Sequence, residues 1–153
     1  MAASSQALNK AIQFILAIVI VGLGYFLYVS ITEPYEAVER QQEITQDTRG
    51  RMIQVRTALT NYRSENGRYP YSLDSLQMYI RQDSILSVKG DSVFGPGFDV
   101  DSLIFSPRTG NAFEYAINDT SQVLIYLLKD PDTNDQIGSL IPDVTLLNAA
   151  NWE

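Results

Sequence analysis

TALTNYRSENGRYPYSLDSL, residues 57–76, decides how the fold is read. Ala58, Leu59 and Tyr62 recur at helical spacing, and Asn66-Gly67 then supplies the left-handed exit that ends a helix. Tyr69-Pro70 stiffens the chain as it leaves. Ser72 is placed to cap a second, short helix whose inward face is Leu73, Leu76 and Ile80. Working backwards, Met52, Val55, Leu59 and Tyr62 recur at steps of three and four, and Ile44 and Thr48 extend that face by two turns. Between Tyr35 and Glu65 there is no Pro and only Gly50. The spacing therefore predicts one long amphipathic helix over residues 32–66, with Pro34 at its start or at a kink.

Further upstream, residues 11–31 read AIQFILAIVIVGLGYFLYVSI, with no charge between Lys10 and Glu33. A hydrocarbon layer of ~30 Å needs roughly 20 helical residues, which this run supplies. Tyr25, Phe26 and Tyr28 sit at its far end, as interfacial aromatics do. A cleaved signal sequence would have a shorter apolar core, so residues 11–31 are expected to be a transmembrane helix in contact with lipid. Lys10 precedes the span, whereas Glu33, Glu36 and Glu39 follow it. The positive-inside tendency then leaves residues 1–10 in the cytoplasm and exports the rest.

Downstream the composition changes. Gly90, Gly95, Pro96 and Gly97 punctuate a loop, and β-type runs follow near Ser102–Phe105, Ala112–Ile117 and Val123–Leu128. The connection from Asn118 to Ser121 is short enough for a hairpin. The expected fold class is α+β, with residues 67–153 forming a head of one short helix and an antiparallel sheet.

With 153 residues, no Cys and no His, thiol nucleophiles and His-based acid–base chemistry are excluded. Charge is divided unevenly about a net −7. Residues 40–68 carry six Arg against three acids, while residues 69–153 carry four basic groups against twelve acids. Arg49, Arg51, Arg56 and Arg63 are thus expected to offer a protein-interaction surface complementary to an acidic head, on neighbouring subunits of a homo-oligomer or complex. The alternative is pairing within the chain. An acidic head disfavours nucleic acid as a partner.

The order of parts resembles the pseudopilins, the type IV pilin-like proteins of type II secretion. The carrying residues are Ala58, Leu59, Tyr62, Asn66, Gly67, Arg68, Tyr69, Pro70, Leu73 and Leu76, close to the family's "ALxxYxxxNGRYP". A second echo is SPRTGNAFEY, residues 106–115, with Gly110-Asn111 and Tyr115 in matching places. The resemblance implies a pilin-like fold, in which the transmembrane helix continues into a long helix packed on the sheet. It also implies a periplasmic head on the bacterial inner membrane. The chain departs from the family pattern in having no Gly before Gly22 and no acid before Glu33. The expectation is therefore a fixed single-pass subunit rather than a processed filament unit.

DPDTNDQ, residues 130–136, spaces Asp130, Asp132 and Asn134 at alternate positions beside Asp135. Such hard oxygen ligands suit calcium, which several pseudopilins bind in a loop of the sheet region. The EF-hand glycine and the twelfth-position acid are both missing, and an ordinary surface turn is the alternative reading. No other cofactor is indicated. Ser92 with Lys89, and the pair Asp99 and Asp101, are read as solvated turn residues rather than catalytic groups, and Asn118-Asp119-Thr120 as a sequon by pattern only. The chain is read as a non-enzymatic, membrane-anchored structural subunit of a cell-envelope assembly. The alternatives are an accessory subunit of a respiratory or photosynthetic complex and an anchored sensor module.

Overall fold

The computed structural model describes residues 2–83, 86, 90–119 and 123–153. Helix α1 runs without interruption over Ala2–Asn66, through position 34, so the span and the amphipathic segment are one element. Helix α2 covers Leu73–Gln82, α3 covers Gly90–Phe94, and strands β1, β2 and β3 cover Glu114–Asn118, Ile125–Lys129 and Gln136–Gly138. A short 3-10 turn follows at Val144–Leu146. The chain divides into two compact units, Met1–Glu43 and Ile44–Glu153, and α1 contributes to both.

In the second unit the helical face read from the sequence is the buried one. Thr48, Met52, Val55, Ala58 and Leu59 have no exposed surface. Asn66 is the last residue of α1. Gly67 then turns with φ +71 while its N–H donates to the Arg63 carbonyl at 2.8 Å, which is the expected left-handed stop. The Ser72 hydroxyl accepts from the Ser75 N–H at 3.2 Å and caps α2, whose buried residues are Leu73, Leu76 and Ile80.

The three strands form one antiparallel sheet in the order β1-β2-β3. Tyr115 pairs with Leu128, and Leu128 with Ile137. Tyr126 and Leu128 of β2 and Ile137 of β3 join α1, α2, Leu103, Ile104 and Phe113 in a single core. The layout is thus α+β: a long N-terminal apolar helix followed by a small three-stranded antiparallel sheet.

Three sequence expectations are corrected. The Ser102–Phe105 run is not a strand: it forms turns with one isolated bridge, Phe105 to Ala112. The reason is local, because the Asp99 carboxylate accepts from the N–H groups of Asp101 and Ser102 and so diverts the backbone from a ladder. The stretch after Lys89, read as loop, contains α3. Finally, β3, at Gln136–Gly138, lies where no strand was expected. At its end Gly138 adopts φ +78, and a Cβ there would stand 2.3 Å from the Tyr126 carbonyl oxygen.

Candidate functional site

The first candidate surface is α1 within Met1–Glu43. Phe14, Val21 and Tyr25 are each more than 70 % exposed, in a window with nothing buried. Water-facing apolar area on that scale is costly, at roughly 25 cal/mol per Å², whereas lipid removes the cost. Inside a continuous helix the backbone groups pair along the chain, as a bilayer requires, except at the carbonyl of Ser30, four residues before Pro34, whose ring nitrogen carries no N–H. Near the end of the run the Thr32 hydroxyl donates to the Tyr28 carbonyl at 2.8 Å, so that polar group too is covered. One helix among the described residues is long and apolar enough to cross a membrane.

The second candidate is the row of arginines on α1 within Ile44–Glu153. Arg49 holds Asp135 through Nε at 2.8 Å and Nη2 at 3.1 Å, and its guanidinium lies 5.1 Å from the Trp152 ring centre. The hydrogen bond to Asp135 raises the Arg49 pKa, against the opposing effect of burial. Arg51 donates to the carbonyls of Ser102 and Phe105 at 3.2 and 3.0 Å. Arg56 donates to the Asn148 carbonyl at 3.0 Å and to Glu153 at 3.2 Å. Arg63 lies over the Tyr69 ring, 5.2 Å from its centre, and donates to its hydroxyl at 3.1 Å. The four residues expected to meet a partner are therefore all engaged with the head of their own chain. They act as rivets between α1 and loops up to 97 residues away.

The stretch that opened the sequence reading is locked in the same way. Tyr69 meets Tyr126 edge-on with centroids 4.9 Å apart, Tyr62 meets Tyr79 likewise at 4.9 Å, and the Tyr115 hydroxyl donates to the Pro70 carbonyl at 2.9 Å. Burial raises the pKa values of Tyr115 and Tyr126. That of Tyr79 rises through burial and then through its hydrogen bond to Glu65, at 2.6 Å. The Tyr-Pro unit is a docking device that fixes the exit from α1 against the sheet.

The 130–135 loop is tied by its own chain. Asp130 is fully buried. Its Oδ2 accepts from the Thr133 hydroxyl at 2.8 Å and stands 3.8 Å from Arg108 Nε, while its Oδ1 has no hydrogen-bond partner among the described residues. Asp132 accepts from the Thr109 hydroxyl, Asp135 from Arg49, and the Asn134 carbonyl from the Asn151 side chain. Among the described residues no group of three or more acidic side chains is arranged to hold a metal. Of the loop's carboxylates, Asp135 takes the Arg49 guanidinium, Asp130 Oδ2 the Thr133 hydroxyl and Asp132 the Thr109 hydroxyl, while the buried Asp130 Oδ1 takes no donor among the described residues.

Asp101 pairs with Arg81, and Asp99 is held below its ordinary pKa by hydrogen bonds from Ser102 and the Asp101 backbone. Ser92 is exposed on α3, and Lys89 lies outside the described residues, as does Thr120 of the sequon. A concavity between Arg68, Tyr71, Ile117 and Leu124 has a volume of about 160 Å³, below the 300 Å³ or so at which small-molecule sites begin. Comparison of the chain with protein-family models, with curated proteins and with solved structures finds no match.

Proposed function

We propose that this chain is a non-enzymatic, single-pass structural subunit, pilin-like in architecture, of a bacterial cell-envelope assembly of the secretion or motility kind. The observation that carries the reading is that a single helix, α1, supplies both an uncovered apolar run and the buried spine of a riveted head. A helix of that kind anchors and positions. Lys10 ahead of the run and the acids after it favour a cytoplasmic N-terminus and a periplasmic head on the inner membrane. Pseudopilin-like sequence in the Asn66–Pro70 turn supports the pilin-like assignment, and that turn is where the head docks on α1 through Tyr69 and Pro70.

Native membranes test the proposal directly. The chain is expected to resist alkaline extraction and to lose its head to protease in spheroplasts but not in inverted vesicles. In mild detergent it is expected to run within a large particle of fixed composition. Release by alkali would end the anchor reading. A lone 17.1 kDa protomer in detergent would end the structural-subunit reading and favour an anchored sensor.

A further inference from the structure

Ala17, Gly24, Ile31 and Val38 follow one another at intervals of seven, with Tyr28 and Tyr35 in the alternate places, so the steps along α1 are four and three. That is the spacing of a helix–helix seam. The same sevenfold series continues to Thr45, Met52 and Leu59. There the head covers it: Met52 and Leu59 are fully buried, and Thr45 accepts a hydrogen bond from Arg108 at 3.1 Å. From residue 17 to residue 38 nothing covers it among the described residues. Ile31, Tyr35 and Val38 are 54, 75 and 55 % exposed, and shallow apolar hollows at Ile31–Val38 and at Phe14–Ala17 lie along the stripe.

Lipid accounts for exposure inside the span but not for Tyr35 and Val38, which lie beyond Thr32 among Glu36, Glu39 and Arg40. We propose that residues 14–42 of α1 pair side by side, parallel and in register, with the same residues of a second copy of this chain. The proposal rests on the anchored-subunit reading, since a common membrane orientation makes the pair parallel. Charge placement supports a like partner. Glu36 and Arg40 bond to each other at 3.2 Å on the side of the helix away from the stripe, and Glu43 shares that side. Glu39 flanks the stripe on one side only, and Gln41 lies on the other. In a parallel pair the two copies of Glu39 therefore fall on opposite sides of the seam, so no like charges meet. At Gly24 an added Cβ would meet nothing within 4 Å, and with Ala17 it leaves the backbone open to close approach inside the bilayer.

The absence of cysteine makes the test clean. Single substitutions Ile31→Cys, Tyr35→Cys and Val38→Cys, with Glu36→Cys and Arg40→Cys as off-stripe controls, are made in the full chain in native membranes and mildly oxidised. Same-position disulfide dimers are expected at 31, 35 and 38 at ten times or more the yield at 36 and 40. Equal yields at all five positions, or no dimers, would overturn the pairing. So would linkage only between unlike positions, such as 31 with 38, which means an offset array. Alkaline extraction of the same membranes separates the two readings: chains that stay in the membrane without cross-linking sink the pairing alone, and chains that are released sink both. Circular dichroism and limited proteolysis of each variant establish that the head is folded.

Discussion

Arg49 and Asp135, 86 residues apart in sequence, meet through two parallel hydrogen bonds of 2.8 and 3.1 Å. The fork matches the carboxylate and adds direction to the charge pairing. Asp135 is the better shielded partner, with 15 % of its side chain exposed against 37 % for Arg49. Partial exposure limits the pair to the scale of a surface bridge improved by geometry, about 1 kcal/mol. A double-mutant cycle of Arg49→Met and Asp135→Asn should give a coupling near that value, and 1 M salt should reduce it. Additive effects would show that the two groups are merely near each other.

Gly67 and Gly138 separate backbone strain from steric collision. Both have positive φ, but an added Cβ meets nothing at Gly67 and meets the Tyr126 carbonyl at 2.3 Å at Gly138. Gly67→Ala should cost about 1 kcal/mol, the ordinary penalty of the left-handed region, while Gly138→Ala should cost roughly 3 kcal/mol because the β2–β3 pairing must also shift. Urea unfolding of the two variants checks the difference. Equal costs would mean that the strand moves aside freely.

These two positions also show what could be read in advance. The stop at Asn66-Gly67, the Ser72 cap and the inward face Leu73, Leu76 and Ile80 are set by neighbours within four residues, so the sequence displays them. Gly138 ends a three-residue strand whose existence depends on β2 and on a bridge from Ile137 to Ala150, which no local pattern announces. The hairpin of β1 and β2 was legible from two β-type runs joined by a short connection, with ends displaced by one or two positions. Ser102–Phe105 was misread because the Asp99 side chain competes for its backbone, and β-type composition does not report such competition. The partners of Arg49, Arg51 and Arg56 lie more than 50 residues away, so charge counting found the arginines without finding what they hold.

Asp130 is the sharpest case. Its carboxylate is fully buried opposite Arg108 at 3.8 Å, with Thr133 as a second partner. Removing one member of a buried pair leaves the other uncompensated, so Asp130→Ala should cost about 3 kcal/mol, whereas Asp132→Ala, at an exposed residue, should cost about 0.5 kcal/mol. Thermal unfolding with and without millimolar calcium completes the test. The midpoint should not move, since Arg49 and Arg108 already balance Asp135 and Asp130. A calcium-dependent rise abolished by Asp132→Ala would make the loop a metal site.

Alkaline pH should dismantle the head through its tyrosines. Tyr115 and Tyr126 have pKa values raised above the ordinary 10.0 by burial, and Tyr79 by burial and its hydrogen bond to Glu65. In the unfolded chain these phenols would ionise near 10, so the folded chain holds their protons more tightly. The stability they contribute is complete below that value and is lost as pH rises from there towards the folded pKa values. Tyrosinate absorbance in detergent should therefore include a late second phase, from these buried phenols, that coincides with loss of the β signal in circular dichroism. Tyr115→Phe removes one of the phenols that drive the second phase, and with it the bond to the Pro70 carbonyl. The variant should be about 1 kcal/mol less stable at neutral pH yet depend less steeply on pH above 10. A single phase near 10 with the fold intact would mean that the tyrosines around Pro70 are open to solvent, and the docking of the Tyr-Pro turn on the sheet would have to be abandoned.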